Sequence, residues 1–168
     1  HPQPLLKKEG GRTCAPVLPL FKGELEGVTL CMIVKSLEET KKFAQHLVQE
    51  LKGGEVILLR GDLGSGKTTF VRFVAELLNI DVKVKSPSFS VMNEYPVQHR
   101  TITRILHLDL YRFNDAEHLQ ALALEDELRL DTVIFIEWPD AVDALPIEAT
   151  KTIEFTFIDE STREISYG

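Results

Sequence analysis

Residues Gly61-Asp62-Leu63-Gly64-Ser65-Gly66-Lys67-Thr68 fit the pattern G-x-x-x-x-G-K-[ST], and their flanks decide what the pattern means. Glu55–Arg60, just before them, is a short apolar run of the kind that forms a buried parallel strand. Lys67–Leu78, just after, sets Phe70, Val71, Val74, Leu77 and Leu78 along one helical face. Strand, glycine-rich turn and helix in that order describe a phosphate-binding loop. Its glycines permit turns that bulkier residues resist. Its N–H groups and the following helix N-terminus attract anions. Lys67 is expected on the β- and γ-phosphates of a nucleoside triphosphate, and the Thr68 hydroxyl on magnesium. The competing account is a strand-to-helix turn with chance glycines. It requires strand, loop, lysine and threonine to coincide.

The rest of the chain reads as alternating elements. Ser36-Leu37-Glu38-Glu39 is a capping box, and the helix after it stacks Phe43, Ala44, Leu47, Val48 and Leu51 before Gly53-Gly54 ends it. Lys85–Phe89 reads as a loop and Ser90–Glu94 as a short strand. Arg104–Leu110 is a further strand, and Asn114 is placed to cap a helix running to about Leu130. Thr132–Glu137 is another apolar strand. Thr152–Ile158 alternates, turns at Asp159–Ser161 and alternates again through Tyr167, which is a hairpin signature. The pattern predicts a three-layer α/β P-loop NTPase fold, with a mixed, mainly parallel sheet and a C-terminal β-hairpin. Four of the eight prolines fall within residues 1–31, and the first methionine, Met32, stands immediately before the first patterned segment. Residues 1–31 are therefore expected to be a flexible leader outside the fold, with the functional chain starting near Met32 and an ATPase domain over 32–168.

Magnesium takes oxygen ligands, usually one or two carboxylates beside phosphate and water. Such groups sit at the carboxyl ends of strands in an α/β sheet. Asp109 closes Ile105–Asp109 and Glu137 closes Val133–Glu137. Each is a candidate to bind the metal, directly or through water, or to orient an attacking water. An acidic residue ending an apolar run is also an ordinary solvated strand terminus. Ser86 and Ser88 flank Pro87, and turn chemistry around the proline is the simpler account of both. His107 and Trp138 read as structural, and Arg112 as a surface ion-pair partner.

Composition narrows the classes. The chain has 168 residues, 43% hydrophobic and 27% charged, as in a folded globular domain. A net charge of −7 argues against stable binding of DNA or RNA by this chain alone. No apolar run approaches the roughly 20 residues that span a bilayer, and no secretory signal is visible. Both cysteines, Cys14 and Cys31, precede the expected domain, which suits a reducing cytoplasm.

Taken together, Gly61–Thr69 (GDLGSGKTT), Ser86–Phe89 (SPSF), His107–Arg112 (HLDLYR) and Glu137–Pro139 (EWP) resemble the TsaE family, also called YjeE, in order and spacing. The resemblance covers about Met32 to Gly168. It implies a small cytoplasmic ATPase, slow when alone, with ATP and Mg2+ as cofactors. Such an ATPase is needed to make threonylcarbamoyladenosine at position 37 of tRNAs that read ANN codons. The implied partners are TsaD and TsaB, which carry out threonylcarbamoyl transfer, so that tRNA is met through the complex. By the family pattern Gly61, Asp62, Leu63, Gly64, Ser65, Gly66, Lys67, Thr68 and Thr69 hold the nucleotide. Thr68, Asp109 and Glu137 hold the metal, and Lys67, Asp109 and Glu137 serve hydrolysis. The Ser36–Thr40 segment, with Ser36 and Thr40, is matched loosely to the region near the adenine. Ser88 stands where the family usually has threonine, which makes it a candidate γ-phosphate sensor. Residues 1–31 have no family counterpart. Two other function classes share the loop: a small-molecule kinase, and a non-hydrolysing nucleotide-gated binding module. A kinase needs an arginine-rich lid, whereas Arg100, Arg104, Arg112 and Arg129 are scattered. No Asn-Lys-x-Asp motif marks a guanine site.

Overall fold

The computed structural model describes residues 7–9, 12–16, 30–81, 87, 91–112, 120–140 and 147–168. Ser86, Ser88 and the start of the helix expected from Asn114 lie outside the described residues. In chain order the strands are β1 (Lys7–Glu9), β2 (Arg12–Pro16), β3 (Leu30–Val34), β4 (Val56–Gly61), β5 (Met92–His99), β6 (Ile102–Asp109), β7 (Thr132–Glu137), β8 (Lys151–Phe157) and β9 (Arg163–Tyr167). Among the described residues the helices with given bounds are α1 (Leu37–Glu50), α2 (Lys67–Leu77) and a short α3 (Leu124–Glu127).

These strands form one sheet in the order β1-β2-β3-β9-β8-β4-β7-β6-β5. Its centre, β8-β4-β7-β6, is parallel, and β8 and β9 form the C-terminal antiparallel hairpin. The fold class is therefore the expected mixed α/β P-loop architecture. β1, β2 and the first residues of β3 fall within 1–31, so the sheet extends into that segment.

The parity of β4 builds the layers, because successive side chains point to opposite faces. Ile57 and Leu59 join Phe43, Leu47, Phe70, Val74, Phe135 and Phe155 in one core beneath α1 and α2. Val56 and Leu58 join Leu106, Leu108, Ile134, Ile136 and Leu124 of α3 on the other face. A strand buried on both faces must be apolar throughout, which is why Val56–Leu59 is a continuous run. Phe70 links the helices to the sheet, its ring 5.3 Å from Phe43 and 5.5 Å from Phe155 between centroids.

The serine half of the capping box forms as the sequence predicts, and the glutamate reaches one residue past the cap. Ser36 Oγ accepts from Glu39 N–H at 3.2 Å, and Glu39 Oε2 reaches back to Lys35 N–H at 2.6 Å. Two expectations shift. The strand expected over Ser90–Glu94 runs instead over Met92–His99, through Pro96. It can do so because β5 is an edge strand, where a missing N–H need not face a partner. Of the helix expected to reach Leu130, the described residues show Gln120 in helical conformation and then α3. Ala123, with a left-handed φ of +45°, interrupts it.

Candidate functional site

β4, β6 and β7 run parallel, so their carboxyl ends meet at one edge of the sheet. Leu59 is level with Glu137, and Glu137 with Asp109. The chain leaves β4 through Gly61 (φ +132°), turns through Gly64 (φ +78°) and enters α2 at Gly66 (φ +114°). At Gly61 a side chain is excluded by contact as well as by conformation, since a Cβ there would lie 2.3 Å from the Phe155 carbonyl oxygen. Ser65 N–H donates to Asp62 O at 3.1 Å and closes the turn. No side chain caps α2, which leaves its first-turn N–H groups to meet an anion.

Lys67 and Thr68 leave the helix side by side. Lys67 is 4% exposed and donates to Gly61 O at 2.6 Å and Asp62 O at 2.9 Å. Burial draws its ammonium below the ordinary lysine range, while Glu137, Asp109 and Asp62 partly offset that by attraction. Thr68 Oγ1 donates to Glu137 at 2.8 Å from Oε1 and 3.1 Å from Oε2. Asp109 is buried next to Glu137, and its Oδ1 accepts from Tyr111 N–H at 3.1 Å. The sheet thus gathers Lys67, Thr68, Asp109 and Glu137 at the mouth of the loop.

A cleft of about 300 Å³ borders the loop. Ser36 and Thr40 line it together with Gly64, Ser65, Gly66 and Thr69. The Ser36 hydroxyl is committed to capping α1, so what the residue offers the cleft is its wall. Val34, Phe155 and Ile165 add apolar surface, and Glu160 and Ser161 of the hairpin turn and Arg163 of β9 complete the lining. Asp62 and Leu63 are exposed at the loop tip, Leu63 to 79%.

The residues present suit a nucleotide with a hard cation. Ser65 Oγ is buried without a partner among the described residues, and a Cβ at Gly64 or Gly66 would meet nothing within 4 Å, so the loop leaves open space against its backbone. Thr68, Asp109 and Glu137 offer only oxygen, the donor magnesium prefers. Among the described residues no cluster of three or more His, Cys, Asp or Glu could hold a metal alone.

Against this geometry, a family model described as "Threonylcarbamoyl adenosine biosynthesis protein TsaE" matches residues 34–165. The chain belongs to the TsaE family. The tRNA threonylcarbamoyladenosine biosynthesis protein TsaE of Aquifex aeolicus is 34% identical over 136 residues, 80% of this chain and 92% of that protein. Its Bacillus subtilis counterpart is 32% identical over 130 residues, 77% and 79% of the two. The crystal structure of Bacillus subtilis YdiB superposes with a TM-score of 0.66 at 31% identity, covering 83% of this chain and 84% of that one. Among the described residues of this TsaE-family chain no helix is long and apolar enough to cross a membrane.

Two residues whose sequence pattern reads as structural, Trp138 and His107, stand in the site. Trp138 leaves β7 with φ +57°, and its ring lies 4.8 Å from that of Tyr111 and 4.0 Å from Lys67 Nζ. His107 Nε2 lies 2.8 Å from Glu137 Oε1. The available signals were slight: Trp138 directly follows Glu137, and His107 shares the strand parity of Asp109. The lining from Val34, Phe155 and Arg163 carried no local signal, because only the sheet order brings the hairpin to the loop.

Proposed function

We propose that this chain binds ATP with Mg2+ and hydrolyses it in the service of threonylcarbamoyladenosine formation on tRNA, acting with TsaD and TsaB. The observation that carries the reading is the contact of Thr68 with Glu137 at the mouth of a phosphate loop, in a chain of the TsaE family. Lys67 and the first-turn N–H groups of α2 bind the β- and γ-phosphates. Thr68 and Glu137 would hold Mg2+, which supplies charge neutralisation at the phosphate oxygens when bound. Asp109, buried level with Glu137, is placed to order water beside them. The cleft under Ser36 and Thr40 takes the nucleoside, with apolar walls for the base. Ser88 completes the proposed site as γ-phosphate sensor. The ATPase domain proper spans 32–168, with β1 and β2 as additions at the sheet edge.

The arginines weigh against a kinase lid. Arg100 donates to Gln49 O, Arg104 pairs with Glu127, and Arg129 pairs with Asp131. Three of the four arginines considered for a lid are thus committed elsewhere.

The test is reconstitution: this chain, TsaD, TsaB, ATP, the threonylcarbamoyl donor and unmodified tRNA, with the modified nucleoside read by mass spectrometry. Sustained formation should require the chain, and the Lys67→Ala variant should not replace it. Undiminished formation without the chain would refute the role. Phosphate release from ATP without any acceptor separates hydrolysis from kinase action.

A further inference from the structure

His107 lies on β6, two residues before Asp109 and on the same face of the sheet. It is level with Phe135 of β7, as Asp109 is with Glu137, so its ring reaches Glu137 along the diagonal between neighbouring strands. The ring is 0% exposed, and its Nε2 lies 2.8 Å from Glu137 Oε1. The same oxygen accepts from Thr68 Oγ1 at 2.8 Å. A carboxylate oxygen accepts and does not donate, so the ring hydrogen belongs on Nε2. Nδ1 is buried with no partner among the described residues, which leaves Glu137 as the ring's polar contact there. Two donors, one from β6 and one from α2, therefore fix a single carboxylate. A histidine that merely filled the apolar layer would be a poor choice, because a buried polar group without a partner costs stability.

We propose that His107 is a positioning residue for the nucleotide site: its Nε2–H holds the Glu137 carboxylate in the rotamer that meets Thr68 at the mouth of the phosphate loop. His107 touches neither phosphate nor metal and acts through Glu137. The inference rests on the reading of Glu137 as the carboxylate on the magnesium side. Without the histidine, Glu137 would keep one anchor and sample other rotamers. The expected cost is in the steps that need the metal, and affinity for nucleotide alone should be spared. Outer partners of metal-side carboxylates typically matter by about 10- to 100-fold in activity or metal affinity.

The test compares His107→Gln, whose amide nitrogen can reach the place of Nε2, with His107→Asn, which offers the same chemistry one carbon short. Both are measured for phosphate release, for the Mg2+ concentration giving half-maximal rate, and for ADP affinity without Mg2+. His107→Asn should lose about 10- to 100-fold in kcat and need more Mg2+, with metal-free ADP affinity unchanged. His107→Gln should retain most of the turnover. In a Glu137→Gln background, His107→Asn should cost little further. Equal losses in the two histidine variants, or a full loss persisting in the Glu137→Gln background, would overturn the proposal. Glu137→Gln with wild-type turnover would instead overturn the reading of Glu137 itself. Nitrogen-15 NMR of the unmodified protein gives a check that needs no variant to fold. A hydrogen on Nε2 supports the proposal, and one on Nδ1 alone contradicts it.

Discussion

Replacing Gly61 with alanine tests the loop at its most constrained point. Gly61 has φ +132°, in a region L-residues rarely enter. Forcing a side chain there costs about 1–3 kcal/mol in backbone strain. The new Cβ would also sit 2.3 Å from the Phe155 carbonyl oxygen and 2.8 Å from Ser65 Oγ. Phe155 is paired with Gly61 across β4 and β8, so the nearer clash is with backbone and no rotamer relieves it. Overpacking of this kind adds about 1–3 kcal/mol. The sum is about 2–6 kcal/mol, and in a chain of this size that lowers the melting temperature by on the order of 10 °C. Gly64→Ala is the internal control. It has φ +78° but nothing within 4 Å of the added carbon, so only a left-handed penalty of about 1–2 kcal/mol applies. Thermal melts followed by circular dichroism should rank wild type above Gly64→Ala and both above Gly61→Ala. Gly61→Ala should also bind ADP more weakly, because β8 and the loop cannot both keep their places. A Gly61→Ala melt within about 2 °C of wild type, or above that of Gly64→Ala, would mean that Gly61 is not sterically required.

Lys67→Ala and Thr68→Ala should each lower magnesium-dependent phosphate release by at least about 100-fold, as seen when one preorganised charge-stabilising group is lost. Ser36→Ala removes the acceptor for Glu39 N–H and should destabilise the fold by about 1 kcal/mol, read as a melting shift of about 3 °C. The pH dependence of ADP affinity follows from Lys67, whose burial lowers its ordinary pKa. The nucleotide needs the ammonium, so affinity is full while Lys67 is charged. It should decline on the alkaline side before the ordinary lysine range is reached, and Lys67→Arg should flatten that decline. An alkaline profile identical for lysine and arginine would remove Lys67 from the phosphates.

Much of this architecture is visible in local pattern. Thr132–Glu137 could be bounded from sequence because every residue in it is buried, so the apolar run and the strand coincide. The capping box at Ser36 and the hairpin at Asp159–Ser161 are equally local. What escaped depended on neighbours far away in sequence. Pro96 stops a central strand but not an edge strand, and edge status is a property of the sheet order. His107 reads as filler until β6 and β7 are placed in register and its ring is found against Glu137. Trp138 reads as core until its left-handed φ turns the ring toward Lys67. Asp109 and Glu137 were legible because a carboxylate ending an apolar strand is conspicuous. Their adjacency follows from a parallel pairing that no short window contains.

We propose that Thr68 and Glu137 together serve a magnesium-dependent hydrolysis of ATP. Its most direct test is phosphate release by wild type and Glu137→Ala, each with and without Mg2+, beside the affinity of each for ADP. Wild-type release should require Mg2+. Glu137→Ala should keep most of its ADP affinity while turnover falls by at least about tenfold. Turnover unchanged by Glu137→Ala would remove Glu137 from the metal site and leave Asp109 as its candidate.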